Sequence, residues 1–460
     1  MNRRDFFRFA GAGTATAFLP DCLDGADRKP NGTTSLPKPT PPQLAWQQAE
    51  VGLVYHYDLH VFDGRRYSQG ANRKNSITDI DMFNPRGYNT DQWIEAAVAM
   101  GARFAIITAS HETGFRLWQS DVNPYSMKAL KWRNGRGDVV ADFISSCHKY
   151  KIKPGVYFGA RWNSHLGVLD FKVQPHAKLT QNEYNKLIER EVEEICSRYG
   201  ELFEIWFDGG ILAPELGGPD VLPIFTKHQP NCLFYHSRQR SDARWGGSES
   251  GAVGYPCWAT MPFEGSRGHT DHNLLRHGDP DGKYWSPAMA DAPLRNHEWF
   301  WEPDDEHKLY SAGSLVDMYY KSVGRNATLI LGAVPDDRGL IPDPDFNRMA
   351  EFGRDIRRRF SRPVAKTTGM GMTVELELGT PAGFDHVVIA EDIARGERVR
   401  EYEVDALTAG NEWRKVCEGT SIGHKRIQNF DPVEAARVRI RITKSTDVPI
   451  IREFAAYDIA

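Results

Sequence analysis

The sequence predicts an α/β protein in which a (β/α)8-like barrel is followed by a C-terminal antiparallel β-sandwich. Three observations lead to this prediction. The chain has 460 residues, more than a single hydrophobic core usually serves, so two domains are expected. Apolar strand-like runs alternate with helical patterns over residues 43–360, which is typical of a parallel barrel. Over residues 364–460 the apolar residues instead alternate with period two, as in antiparallel strands.

The N-terminus predicts an export signal followed by a linker. Residues 1–22 begin MNRRDFFRFAGAGTATAFLP, in which the Arg3-Arg4 pair precedes a short run of small and apolar residues. This pattern is typical of a twin-arginine signal and predicts a periplasmic or secreted protein. The run is too short and polar to predict a stable membrane span. Cys22 follows a Pro-Asp pair that suits lipidation poorly, and residues 23–42 are rich in Pro, Gly and Thr, as linkers are.

The barrel prediction rests on strands and helices that follow one another along the chain. Helices are predicted over 90–101, 138–151 and about 180–200, each between two apolar runs. The pattern blurs between residues 238 and 300, a region rich in Gly, Trp and His that we interpret as long active-site loops. Six strands are predicted, over residues 51–62, 103–110, 153–161, 202–210, 231–237 and 327–334.

The composition and the absence of several sequence motifs exclude some classes of function. The 57 basic and 61 acidic residues give a formal net charge of -4 without a long block of like charge, so no nucleic-acid partner is expected. No GxSxG elbow, Walker loop or strand-coupled dinucleotide motif is present, and no cofactor is predicted. Aromatic residues make up 11% of the chain and often stand beside polar residues, as in sugar sites, although large α/β cores are also rich in them.

Polar residues follow four of the predicted strands, where a barrel carries its active site. Each has a structural explanation when taken alone, since a buried His is often a packing residue and Asp-Gly is a common turn. The last of the four strands is EIWFDGG, in which Asp208 ends an apolar run before two glycines. The strand-end residues are His56, His111, Glu112, Arg161, Trp162 and Asp208.

A metal site is a weaker interpretation of these residues. If residues 51–62 form one strand, His56 and His60 lie roughly 13 Å apart at about 3.3 Å per residue. A zinc ion needs ligands at about 2 Å, so these two could not share one. We therefore predict no metal and favour the carboxylates.

Several long segments resemble the α-L-fucosidases of glycoside hydrolase family twenty-nine. The resemblance covers about residues 50–460 and is carried by VGLVYHYDLHVF, FNPRGYNTDQWIEAAVAMGARFAIITASHETGFRLWQS, GDVVADFISSCHKYKIKPGVYFGARWN, FEIWFDGG, KSVGRNATLILGAVPDDRG, EDIARGERVREYEV and SIGHKRIQNF. It implies a barrel followed by a β-sandwich. It also implies a fucosylated oligosaccharide or polysaccharide as substrate and hydrolysis with retention of configuration.

The resemblance implies roles for particular residues. Asp208 matches the family's nucleophile in its WFDG motif, and retention requires a second carboxyl group about 5 to 5.5 Å away. The segment ARWGGSESGAVGYPCW resembles the family's RWxGNExG motif, which makes Glu249 the expected general acid/base, with Glu298 in reserve. His56, His111 and Trp206 would contact the sugar, and the loop carrying Trp258 would fold over it.

Two departures from the family pattern leave the sugar open. The chain has SHETGF where the family commonly has KHHDGF, so Glu112 replaces a His, and Met289 stands where a Glu is expected. L-fucose, a decorated fucose and the related L-galactose all remain possible sugars. A binding relative with little or no activity is the alternative function, and the sequence predicts no oligomeric state.

Overall fold

The computed structural model describes residues 35–267 and 271–459, and those from Leu36 onward form one compact unit. The predicted export signal and most of the predicted linker lie outside the described residues. The linker prediction runs slightly too far, because the first helix, Pro41–Ala49, begins before its end. Thr40 caps this helix: its hydroxyl accepts from the backbone N–H of Gln43, whose side chain accepts from Thr40 in return.

Eight parallel strands form the first domain, and they confirm the predicted (β/α)8-like barrel. The order in the sheet is β5-β4-β3-β2-β1-β8-β7-β6, so the sheet curls almost into a closed barrel. The strands are β1 (Val51–Tyr55), β2 (Phe104–Ser110), β3 (Lys153–Phe158), β4 (Glu204–Ile211), β5 (Leu233–Ser237), β6 (Arg244–Trp245), β7 (Ala288–Pro293) and β8 (Ala327–Ala333).

The helices start and stop where the sequence signals them. The Asn89 side chain accepts from the backbone N–H of Asp91 to begin Thr90–Met100, and Gly101 ends that helix with a φ of 89°. The other helices of the barrel domain are Gln69–Asn72, Val139–Lys149, Gln181–Arg198, Leu222–His228, His272–His277, Ala312–Lys321 and Asp343–Phe360.

Two strand predictions were wrong. The first strand ends at Tyr55, and a 3-10 turn follows over Leu59–Val61, so the strand spacing assumed for His56 and His60 does not apply. The region 238–300 is more than loops, because it contains β6 and β7. Strand β6 has only two residues, and β7 reads AMADAP, with neither β-branched nor aromatic residues, so neither gives a strand signal.

Alternate side chains of the barrel strands enter two separate cores. On β3 and β4, Val156, Ile205 and Phe207 pack between the strands and the helices. Tyr157 and Trp206 instead belong to a cluster inside the barrel. Since residues two apart on a strand face the same side, Asp208 is directed inward with Trp206.

The second domain is an antiparallel β-sandwich whose six strands form one continuous ladder, which confirms the predicted fold. Two long strands, β10 and β13, shift register twice against each other, and these irregularities let the sheet bend over its own core. The order is β9-β14-β10-β13-β11-β12. The strands are β9 (Ala365–Met370), β10 (Thr373–Glu391), β11 (Val399–Leu407), β12 (Trp413–Gly419), β13 (Arg426–Ser445) and β14 (Ile450–Tyr457).

The two domains share buried polar contacts. Glu397 of the second domain accepts from the backbone N–H of Ala259 and from Asn326, both in the barrel domain. Glu50, beside β1, accepts a hydrogen bond from Nε2 of His424 at 2.9 Å and forms an ion pair with Lys425 at 2.6 Å. None of the helices within the described ranges has the length and apolar content needed to cross a bilayer.

Candidate active site

Asp208 is half-buried in the outer part of β4, directly after Phe207, the last residue of that strand that pairs with β3. The hydroxyl of Tyr157 and the backbone N–H of Gly209 lie beside its carboxylate, and both lower its pKa by favouring the ionised form. Burial raises the pKa of Asp208 above its usual value, while the Tyr157 hydrogen bond and the charges of Arg73 and Arg161 oppose that rise. The carboxylate is thus partly exposed at the site, and nearby donors and positive charges stabilise its ionised form.

Gly209 permits a close approach of the neighbouring loop to Asp208. It has a φ of 64°, and an added Cβ would lie 2.7 Å from Cδ of Arg161. Any other residue would therefore be strained and would push Arg161 away. Glycine is therefore favoured at position 209 both by the positive φ and by the lack of space for a side chain.

Two buried histidines form the wall beside Tyr157. The rings of His56 and His111 lie 5.6 Å apart, and His111 stacks on Tyr157 at 5.5 Å. Burial lowers the pKa of His56 to about 3 and lowers that of His111 well below its usual value. Both rings are therefore neutral at physiological pH, and a neutral imidazole can donate one hydrogen bond and accept another, as sugar hydroxyls require. The structure brings these two predicted residues together with Asp208.

Glu112 is held by Arg73, a residue that no local sequence pattern singles out. Its Oε1 accepts from Nε of Arg73 at 2.6 Å, and its Oε2 accepts from the Tyr67 hydroxyl at 3.3 Å. Burial raises the pKa of Glu112 to about 7, against the opposing charge of Arg73 and with the help of the negative charge of Asp208. At the position where the family usually has a His, this chain therefore has a carboxyl group that is paired with Arg73.

Arg161 and Trp162 also lie beside Asp208, because a Cβ on the adjacent Gly209 would meet both side chains. The guanidinium of Arg73 lies 3.6 Å from the ring centre of Trp162, and that of Arg161 lies 4.6 Å from the same ring. Nε of Arg161 also donates to Asp170 at 2.7 Å. The indole between two cations is held rigidly near Asp208.

Glu249 lies on the exposed loop after β6, where Nε1 of Trp299 donates to its Oε2 at 3.0 Å. Trp299 in turn packs on His56, with 4.9 Å between ring centres. The charges of Glu249 and Asp208 both act on the buried Asp291 of β7, and together with burial they raise its pKa well above the usual range. Asp291 also accepts from Nε1 of Trp245 at 2.8 Å. Three carboxyl groups thus lie within electrostatic reach around this pocket.

Two further predicted residues, Glu298 and Trp258, have charged partners of their own, and Met289 stands where the family pattern predicts a Glu. Glu298 forms an ion pair with Lys308, which leaves it less suited to proton transfer than Glu249. Trp258 is buried, and Arg400 of the second domain covers its ring at 4.6 Å, so its contacts hold the domains together. Met289 packs in the apolar cluster inside the barrel and leaves Trp206 in the same cluster undisturbed.

The site also contains residues that the sequence did not single out, namely Tyr67, Arg73, Tyr157, Asp291 and Trp299. For Tyr157 a signal existed, because residues two apart on a strand face the same side, and Tyr157 is four residues before the predicted site residue Arg161. Arg73 and Tyr67 lie in the loop that follows β1, whose path over the mouth no local pattern reports. A barrel mouth that gathers carboxyl groups, neutral histidines and aromatic walls around one pocket is typical of glycoside hydrolases.

Comparison with known proteins identifies the family within this class. The model of the α-L-fucosidase family matches residues 42–358, and that of the F5/8 type C domain matches residues 355–454. The chain is 28% identical to α-L-fucosidase 1 of Arabidopsis thaliana, over 93% of this chain and 89% of that protein.

Solved structures agree with this assignment. A crystal structure from Bacteroides thetaiotaomicron, assigned as an α-L-fucosidase, is 52% identical with a TM-score of 0.90 and covers 93% of this chain and 100% of its own. A glycoside hydrolase 29 family member from a rumen bacterium is 29% identical with a TM-score of 0.80, over 93% of this chain and 78% of that one. The chain belongs to the α-L-fucosidases of glycoside hydrolase family twenty-nine, which confirms the resemblance seen in its sequence.

Proposed function

We propose that this α-L-fucosidase releases α-linked L-fucose from glycans with retention of configuration, with Asp208 as nucleophile and Glu249 as general acid/base. The observation that carries the proposal is the setting of Asp208, a carboxylate at a strand end with a tyrosine donor and two nearby arginines. These neighbours favour its ionised form, which a nucleophile needs.

In the first step an oxygen of Asp208 forms a bond to the anomeric carbon of fucose as the glycosidic bond breaks. The protonated Glu249 gives its proton to the departing glycosidic oxygen, so the glycan leaves as an alcohol. The Trp299 N–H fixes one oxygen of Glu249 and leaves the other for proton transfer. The product of this step is a fucosyl ester on Asp208.

In the second step the same groups act in the reverse order. The ionised Glu249 takes a proton from water, whose oxygen attacks the anomeric carbon and displaces the carboxylate of Asp208. Two inversions give net retention. Free fucose leaves, and both carboxyl groups return to their starting protonation states.

Recognition of fucose is assigned to the walls of the pocket. The neutral rings of His56 and His111 bind hydroxyl groups, and Glu112 accepts from another while Arg73 holds it in place. Trp206 and Trp162 supply apolar surface for the ring and the methyl group. A sugar lacking a matching hydroxyl would leave these buried groups unpaired, which discriminates strongly between sugars.

Substitution of the two carboxyl groups tests the mechanism. We expect Asp208→Asn to abolish hydrolysis of an aryl α-L-fucoside, and we expect azide to restore part of the activity of Glu249→Ala by attacking the fucosyl-enzyme, which gives an α-fucosyl azide. Glu298→Gln is the matched control and should retain activity. Strong turnover by Asp208→Asn, or azide rescue of the Glu298 variant alone, would contradict the assignment.

We also propose that residues 1–22 direct export through the twin-arginine route, and that the enzyme acts in the periplasm or outside the cell. The Arg3-Arg4 pair supports this proposal. Replacement of both residues by Lys should leave the enzyme in the cytoplasm, as measured by fractionation. Unchanged export of that variant would contradict it.

A further inference from the structure

A second cleft opens on the same face of the barrel, beside the proposed catalytic pocket. It is built by the loop after β1, the segment before the helix Thr90–Met100, and the loops after β7 and β8. Its volume is about 780 Å³, within the range of clefts that hold small ligands. We call it the arginine groove, after Arg65, Arg66, Arg86 and Arg338, which line it.

Three of these arginines are exposed and paired with carboxylates. The Arg65, Arg66 and Arg338 side chains are 56%, 74% and 60% exposed, whereas their partners are almost completely buried. Each guanidinium has five N–H donors, of which a carboxylate uses only one or two. The ion pairs join Arg65 to Asp63 at 2.7 Å, Arg66 to Asp305 at 3.8 Å and Arg338 to Asp336 at 2.6 Å.

The balance of charge favours a neutral ligand rich in hydroxyl groups. The four arginines are offset by these partners and by Glu302 and Asp337, which also line the groove. A simple anion would meet little net positive charge here. Free N–H groups held in fixed positions can instead donate to neighbouring hydroxyls of one sugar ring, and Asn84 adds an amide. The half-buried Trp301 supplies an aromatic surface on which the apolar face of that ring can pack.

One loop joins the groove to the catalytic pocket. Its residue Trp299 donates to the proposed acid Glu249, while Trp301 lines the groove. Between them the ring of Phe300 packs 3.9 Å from His60 on the groove side and 5.0 Å from His111 on the pocket side. The leaving glycan must pass the acid that protonates it, and the proposed acid Glu249 contacts this loop through Trp299.

Tyr67 connects the two sites a second time. Its backbone N–H donates to Glu302, which lines the groove, and its hydroxyl donates to Glu112 in the catalytic pocket. The groove and the catalytic pocket therefore meet at opposite ends of one tyrosine.

We infer that the arginine groove is a subsite for the leaving glycan, and that it takes a neutral pyranose residue beyond the scissile fucose. This inference rests on the proposed function and extends it from the fucose to the class of substrate. The preferred substrate is then a fucosylated oligosaccharide whose aglycone fills the groove, whereas an aryl fucoside occupies the fucose pocket alone.

Paired substrates test the subsite. The variant is the double substitution Arg65→Ala and Arg338→Ala, and thermal unfolding checks that the buried carboxylates Asp63 and Asp336 tolerate the loss of these partners. The substrates are an aryl α-L-fucoside and the best-cleaved member of a panel of neutral fucosylated trisaccharides. We expect kcat/KM for the trisaccharide to fall roughly 5- to 30-fold, the loss of one or two hydrogen bonds, and that for the aryl fucoside to stay unchanged.

The matched control is Arg395→Ala, an arginine of the second domain that is 65% exposed and paired with Asp392 at 3.5 Å. It should leave both substrates unaffected. An equal loss for both substrates, or a loss for neither, would overturn the inference. So would a loss confined to trisaccharides that carry a sulfate or a uronate, because the groove would then recognise an anion.

A binding measurement separates this inference from the catalytic proposal. Calorimetry with the disaccharide released from the trisaccharide should show weaker binding to the double variant than to the unmodified enzyme. An error in the assignment of Asp208 or Glu249 would alter turnover but leave this difference intact. Equal binding of the disaccharide to both proteins would overturn the subsite even if both carboxyl assignments are correct.

Discussion

The hydrogen bond from Tyr157 to Asp208 gives the most specific quantitative prediction. Tyr157→Phe removes one hydroxyl group and keeps the ring that stacks on His111 at 5.5 Å. A hydrogen bond to a charged group contributes roughly 1.5–3 kcal/mol. If the bond stabilises the ionised nucleophile and the approach to the transition state, kcat/KM should fall by roughly 10- to 150-fold.

The pH profile shows whether the lost bond belonged to the carboxylate. The Tyr157 hydrogen bond lowers the pKa of Asp208 in opposition to burial, which raises it. Without the hydroxyl the pKa of Asp208 should rise further. Because kcat/KM requires the ionised nucleophile, its acid limb should move to higher pH.

The assay is the pH dependence of kcat/KM for an aryl α-L-fucoside, with thermal unfolding as a check on folding. Tyr184→Phe is the matched control, since that buried hydroxyl donates to the backbone oxygen of Ala160 at 2.8 Å. It should shift neither the rate nor the acid limb. A Tyr157→Phe enzyme with an unmoved acid limb would refute the reasoning, whatever its rate.

Three further predictions concern charge in the core and at the site. Burial raises the pKa of Glu204 to about 8, so the free energy of unfolding should fall as pH rises from about 4.5 to 8, by up to about 1.4 kcal/mol per pH unit. Glu204→Gln should remove that pH dependence in urea titrations, and an unchanged dependence would contradict the prediction. Glu191→Ala leaves the fully buried Arg116 without the carboxylate that it contacts at 2.7 Å, so the free energy of unfolding should fall by about 3–5 kcal/mol in the same titrations. A much smaller fall would contradict this prediction. Arg73→Ala removes a positive charge that lowers the pKa of Asp208, so the acid limb of kcat/KM should move to higher pH, and an unmoved limb would count against that role.

The sequence predicted the parts of the fold that local patterns encode. Strand β4 could be found from its apolar run, and the helix Thr90–Met100 from its capping residues. Strands β6 and β7 could not, because two residues are too few for a period and Ala-Met-Ala-Asp-Ala-Pro resembles a loop. Strand β7 pairs with β8 and β6 pairs with β7, and these pairings depend on the curling of the whole sheet, which is a tertiary effect.

The candidate site divides in the same way. Asp208 and His111 follow strands, and strand ends of a parallel barrel converge, so their meeting could be expected from the sequence. Arg73 reaches the site from a loop whose path depends on long-range packing. Trp258 shows the opposite error, because a tryptophan in a glycine-rich loop suggested a sugar contact, but the second domain covers it with Arg400.

The covalent intermediate tests the central proposal most directly. An activated 2-deoxy-2-fluoro-α-L-fucoside should slow the second step and trap the sugar on the enzyme. Proteolysis and mass spectrometry should then locate one added fluorofucosyl group on the peptide that contains Asp208. Labelling of a different carboxyl group, or inhibited enzyme that carries no covalent sugar, would contradict the assignment of Asp208 as the nucleophile.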